Sequence, residues 1–224
     1  LTGSTGKTHQ MVDDLAIMRA MPGMTVLAPA DDIEAEALLR AAADLPGPVY
    51  IRLARDAVRR VIAPGVGAGS MSPAILRHGR DVALVSTGTQ TTRTLSAAEL
   101  LAADGIDAGV VHVPVLKPLD GEALLGAIGG HRLVVTVEEH TVIGGLGSTV
   151  AELLAEAGDV HPRLRRIGLQ DVYGESGPND ALLERYGLSA TRVAAQVQVF
   201  LTEIPRRPGH PEATCATPAP RRAP

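Results

Sequence analysis

Gly6-Lys7-Thr8-His9-Gln10-Met11 opens the stretch that decides the fold, and Val49-Tyr50-Ile51-Arg52-Leu53-Ala54-Arg55 closes it. Between them, apolar residues recur at Met11, Leu15 and Met18, with Ile17 widening the stripe, which is the spacing of one helix face. Thr8 is placed to cap that helix. Asp13 and Asp14 suit its positive end, and Pro22-Gly23 stop it. Met24-Thr25-Val26-Leu27-Ala28, halted by Pro29, reads as a short buried strand. Asp31 or Asp32 caps a second helix over 33–43, and residues 49–53 read as a second strand. Helix, strand, helix, strand in that order is a piece of a parallel sheet.

The same alternation resumes at Gly79. Strands are expected over 82–86, 108–113, 133–137 and 164–168. Helices are expected over 91–103, 121–128, 146–157, 179–186 and 189–201, with loops at 114–119 and 138–144. The intervening run Ala63-Pro64-Gly65-Val66-Gly67-Ala68-Gly69-Ser70-Met71-Ser72-Pro73 has the composition of a linker. The chain therefore divides into an α/β unit at 1–62, a linker at 63–76 and a second α/β unit at 77–203. A tail at 204–224 is rich in Pro and Arg and has no apolar period, so it is expected to be disordered.

Composition narrows the class. Hydrophobic residues make up 45% of the 224 but aromatics only 2%, so the core must be aliphatic. A net charge of −4 leaves no electrostatic footprint for nucleic acid or an anionic membrane. No apolar run reaches the length of a membrane-spanning helix. The lone cysteine, Cys215, excludes an intramolecular disulfide, in keeping with a cytoplasmic protein. Because the first residue is Leu1 and motifs begin almost at once, the chain reads as part of a longer product or as one subunit of an assembly.

Two local patterns invite a site and do not fill one. Gly6-Lys7-Thr8 ends like a phosphate-cradling loop, but that pattern needs a glycine where Leu1 stands and a strand before it. Glu138-Glu139-His140, followed by Gly144-Gly145-Leu146-Gly147, matches no zinc spacing, and neighbouring side chains of an extended segment point apart. The glycines read as a tight turn into the helix at Leu146, and no metal site is expected.

The sequence as a whole resembles a known family. Thr8-His9-Gln10, Met21-Pro22-Gly23, Pro29-Ala30-Asp31 and the Arg-Leu-Ala-Arg55 strand end occur in the order and spacing of the transketolase family, the thiamine-diphosphate-dependent enzymes. The resemblance runs to about residue 203. It implies the C-terminal part of a pyrimidine-binding α/β domain followed by a complete parallel-sheet α/β transketolase C-terminal domain.

It also implies a reaction, transfer of a two-carbon ketol unit between sugar phosphates. His9 would be catalytic, facing the substrate beside the cofactor and helping to move its protons. Arg55 would grip the sugar phosphate, although Arg52, three residues earlier, leaves open which guanidinium reaches it. Thr5 departs from the family's pattern, which carries an acidic residue there to read a substrate hydroxyl; here a hydroxyl takes that substrate-binding place.

The cofactor, thiamine diphosphate with a divalent metal such as Mg2+, belongs to the complete enzyme, and its grips are expected before Leu1. The implied partner is an N-terminal diphosphate-binding subunit or domain, in a homodimer or heterotetramer, and the chain alone is expected to be inactive. Deoxyxylulose phosphate synthases and the beta subunits of 2-oxoacid dehydrogenases share the domain pair and stand as alternatives, as does a non-catalytic assembly or regulatory subunit.

Overall fold

The computed structural model describes residue 1 and residues 3–64, 69–158 and 161–204. Residues 65–68 of the expected linker and 205–224 of the expected tail, Cys215 among them, lie outside the described residues. The first unit has a short 3-10 turn (Gly3–Thr5), α1 (Asp14–Ala20), β1 (Thr25–Leu27), α2 (Asp32–Ala42) and β2 (Val49–Ile51). β1 and β2 pair in parallel, Thr25 opposite Val49. Asp31 caps α2 as expected, its side chain accepting from the Glu34 N–H at 3.1 Å.

The second unit begins earlier than expected. Ala74–Arg77, which starts within the expected linker, forms β3. It is followed by β4 (Val82–Ser86), α3 (Gln90–Ala103), β5 (Ala108–His112), β6 (Val115–Lys117) and α4 (Gly121–Ile128), then β7 (Leu133–Thr141), α5 (Leu146–Glu156), β8 (Arg163–Leu169), α6 (Asn179–Arg185) and α7 (Ala190–Thr202). Its sheet runs β3-β5-β4-β7-β8, parallel except for β3, which pairs antiparallel with β5 at the edge. A parallel sheet with one antiparallel edge strand is a common α/β arrangement.

Three expectations need correction. Thr8 does not cap α1: the helix starts at Asp14, and the Thr8 hydroxyl lies 2.9 Å from His9 Nδ1 instead. The cause is local. Gly6 sits at φ +70, and the His9 N–H closes onto the Gly6 carbonyl at 3.0 Å, so residues 6–9 make a turn rather than a helix entry. Residues 138–141 are not a loop, because β7 continues through Thr141. Residues 115–117 are a strand, β6, although prolines flank them; at the end of a short strand a proline breaks no ladder bond.

β6 matters because it leaves its own sheet. It pairs antiparallel with β1, Leu27 opposite Val115, so the second unit supplies an edge of the first unit's sheet. The cores merge in the same place. Leu15, Val26 and Ala28 of the first unit pack in one buried cluster with Val85, Val113, Leu116 and Leu146 of the second. At about 1.5–3 kcal/mol for each large aliphatic side chain buried, this junction is a core rather than a sliding contact. Lys117 reinforces it by donating to the Arg19 and Met21 carbonyls at the end of α1.

Candidate functional site

In the second sheet β4 lies between β5 and β7, and the connections leaving β4 and β7 run to opposite sides. Ligands of parallel sheets bind outside the carboxyl ends of strands at such a switch point. A cavity of about 790 Å³ opens there, where the two units meet. Its walls come from the 9–14 turn, the 50–59 segment, the start of α3, Glu139 at the end of β7 and the start of α6.

His9 and Arg55 both line this cavity, whereas Thr5 lies outside its wall, partly buried at the end of the 3-10 turn. His9 is exposed. Gln10 fixes the turn behind it: the amide Nε2 donates to the Gly3 carbonyl at 3.0 Å and the Glu175 carbonyl at 3.2 Å. Gly174 permits that contact, since a Cβ there would come within 2.2 Å of the Gln10 Oε1. The turn and the 174–177 loop are thus one packed piece.

The structure separates the two arginines that the sequence left open. Arg52 is committed: Nη2 donates to the Glu139 carbonyl at 2.8 Å and to the Met11 carbonyl at 3.4 Å, and Nε lies 3.3 Å from Asp14 Oδ2. It fastens β2 to α1 and to β7. Asp14 is buried, and its Oδ2 also accepts from the Tyr50 hydroxyl at 2.8 Å. Burial, and then the bond to Asp14, push the Tyr50 hydroxyl up to about 12, so the phenol stays a donor. Arg55 is exposed, lines the cavity, and among the described residues makes no ion pair.

The second unit brings its own polar wall. Arg93 Nε donates to Gln90 Oε1 at 2.7 Å, and its Nη2 pairs with Glu139. Burial works against the Glu139 carboxylate, but Arg93 outweighs it and holds the group below the ordinary range. The Thr87-Gly88-Thr89 turn is structural: Gly88 donates its N–H to the Ala28 carbonyl at 3.0 Å, and Thr87 Oγ1 donates to the Val113 carbonyl at 2.6 Å.

Glu138 and His140 are buried beneath this floor. Glu138 accepts the N–H groups of Leu146 at 2.6 Å and Gly147 at 2.8 Å, which makes it the cap of α5. Burial pushes its carboxyl up to about 7. Gly145 is the turn residue that lets this happen, for a Cβ there would fall 2.1 Å from Glu138 Oε2. Among the described residues no three His, Cys, Asp or Glu side chains group as metal ligands. The cavity's aromatic ring, Tyr50, is tied to Asp14, and Phe200 packs against the core with Arg165 over its face. These residues do not form a grip for a metal-bound diphosphate cofactor.

Comparison with known proteins places this geometry. The transketolase C-terminal domain matches residues 73–193, and the transketolase pyrimidine binding domain matches residues 1–61. The chain belongs to the transketolase family. It is 42% identical over 205 residues to a putative transketolase family protein of Sinorhizobium fredii, covering 91% of this chain and 59% of that protein. It is also 42% identical over 188 residues to a 6-deoxy-6-sulfo-D-fructose transketolase subunit, SqwH, of a Clostridium species, covering 84% and 58%. A split-gene transketolase, solved as an inactive β4 tetramer, superimposes with a TM-score of 0.81 at 46% identity, covering 88% of this chain and 64% of that one. The chain thus spans about three fifths of the length of these relatives.

Proposed function

We propose that this chain is the substrate-facing part of a transketolase that moves a two-carbon ketol unit between sugar phosphates. The observation that carries the reading is one cavity lined by both His9 and an uncommitted Arg55, while Arg52 is spent on structure. A planar guanidinium with free donors suits a phosphate oxyanion. An exposed imidazole within the same cavity suits proton transfer at the sugar carbonyl and hydroxyl. Thr5 stands outside the wall, so a role for it requires the substrate to extend toward the 3-10 turn.

Thiamine diphosphate, when bound to the complete enzyme with Mg2+, supplies the carbanion chemistry. Its grips are assigned to an N-terminal diphosphate-binding subunit or domain, since the described residues offer none. The assembly is a homodimer or a heterotetramer in the cytoplasm; among the described residues no helix is long and apolar enough to cross a membrane. The split-gene relative and the SqwH subunit support a two-part organisation, and the deoxyxylulose phosphate synthases at 32–39% identity mark an alternative chemistry. A sulfonate offers Arg55 the same three-oxygen target as a phosphate, so the sulfosugar named for the Clostridium relative is a second substrate to test.

The test is ketol transfer by this chain mixed with a diphosphate-binding transketolase subunit. His9→Ala is expected to lower kcat by about 10²–10⁴-fold, the usual contribution of an acid–base group. Unchanged kcat removes His9 from the mechanism.

A further inference from the structure

Behind the cleft wall, three side chains from three elements form a line of hydrogen bonds. The His112 ring, at the end of β5, has Nε2 2.8 Å from Glu34 Oε2 and Nδ1 2.8 Å from Thr91 Oγ1. Glu34 is 2% exposed, and His112 and Thr91 are fully buried, so no ligand reaches them. A carboxylate only accepts, which puts a ring hydrogen on Nε2; in the neutral ring Nδ1 then accepts from the Thr91 hydroxyl. The line therefore has one direction, and His112 joins the first unit to the second through it.

The Thr91 end sits in a wall of the cleft, and the Glu34 end lies beside Asp31, which holds the chain just beyond another wall. Glu34 Oε2 also takes the Ala30 N–H at 2.6 Å. Beside it at the start of α2, Asp31 Oδ2 takes the N–H groups of Val61 at 2.6 Å and Ile62 at 2.8 Å. Those two bonds pin the far end of the segment that leaves β2 and carries Arg55. Thr91 sits in the first turn of α3, between Gln90 and Arg93, which line another wall. We propose that His112 is a positioning residue that holds the Arg55 segment at a fixed spacing from the first turn of α3. Its effect on substrate rests on the transketolase reading above, whereas the mechanical link does not.

Amide hydrogen exchange on the full chain tests the link without cofactor or partner. Thr91→Val keeps the shape and removes the hydroxyl, while Thr91→Ser keeps the hydroxyl. Loss of one buried hydrogen bond is expected to speed exchange at Val61 and Ile62 by about tenfold in Thr91→Val, with Thr91→Ser within about twofold of wild type. Faster exchange confined to α3 overturns the link. Nitrogen NMR of wild-type His112 is independent of how any variant folds: hydrogen on Nε2 is expected, and hydrogen on Nδ1 overturns the line's direction. In the chain assembled with a diphosphate-binding subunit, Thr91→Val should raise KM for a phosphorylated sugar about tenfold and leave kcat within about threefold. A fall in kcat at unchanged KM overturns the positioning role. Absence of ketol transfer in the wild-type assembly defeats the transketolase reading, and the exchange result still decides the link.

Discussion

Replacing Glu138 with glutamine should remove a specific part of the chain's pH-dependent stability. The carboxyl is fully buried, and burial raises it from 4.5 to about 7. A carboxyl raised on folding binds its proton more tightly in the native state, so its contribution is fully present below pH 4.5 and is lost as pH rises through 7. The gap between 4.5 and about 7 amounts to about 3 kcal/mol at ~1.4 kcal/mol per pH unit. Glu138→Gln cannot titrate, so the wild-type minus variant difference should drop by about that much between pH 4.5 and 8. A second, pH-independent effect accompanies it. The Leu146 and Gly147 N–H groups bond to different carboxylate oxygens, and the amide keeps only one acceptor, at a cost of about 1–3 kcal/mol. Urea unfolding of both proteins at a series of pH values separates the two, because one is a slope and the other an offset. A difference that stays flat with pH, or that grows toward alkaline pH, refutes the reasoning.

Arg52→Ala should destabilise the chain by about 3–5 kcal/mol, since it leaves the buried Asp14 carboxylate without its guanidinium, whereas Arg55→Ala should stay within about 0.5 kcal/mol. Urea midpoints for the pair check this, and equal losses contradict the division of labour. Gly145→Ala places a Cβ 2.1 Å from Glu138 Oε2 and 2.5 Å from His140 Nδ1, and should cost about 1–3 kcal/mol in the same measurement.

Apolar spacing made most of this architecture legible. The strand at β4, the helix at α4 and the turn of glycines into α5 follow from periodicity and from Gly and Pro punctuation alone. The two missed strands share a cause: each depends on a partner distant in sequence. β6 becomes a strand because β1 is there to pair with it, and β3 because β5 offers an edge. Thr8 has the chemistry of a cap, but the Gly6 turn diverts it to His9. In the site, the resemblance of the motifs to those of the family pointed to His9 and Arg55. Only the packing of Arg52 on Met11, Asp14 and Glu139 distinguishes the two arginines. His112 carried no signal, since its partners Glu34 and Thr91 are 78 and 21 residues away.

The central claim is that Arg55 grips the anionic end of a sugar in a ketol-transfer site. The direct measurement is kcat/KM of the chain assembled with a diphosphate-binding subunit, wild type against Arg55→Ala, with phosphorylated and unphosphorylated acceptors. Loss of a charge-assisted contact of ~1.5–3 kcal/mol should lower kcat/KM about ten- to a hundredfold for the phosphorylated acceptor. The unphosphorylated acceptor should change by less than about threefold, because it lacks the group that Arg55 is proposed to contact. Equal losses for both acceptors, or none for either, contradict the account.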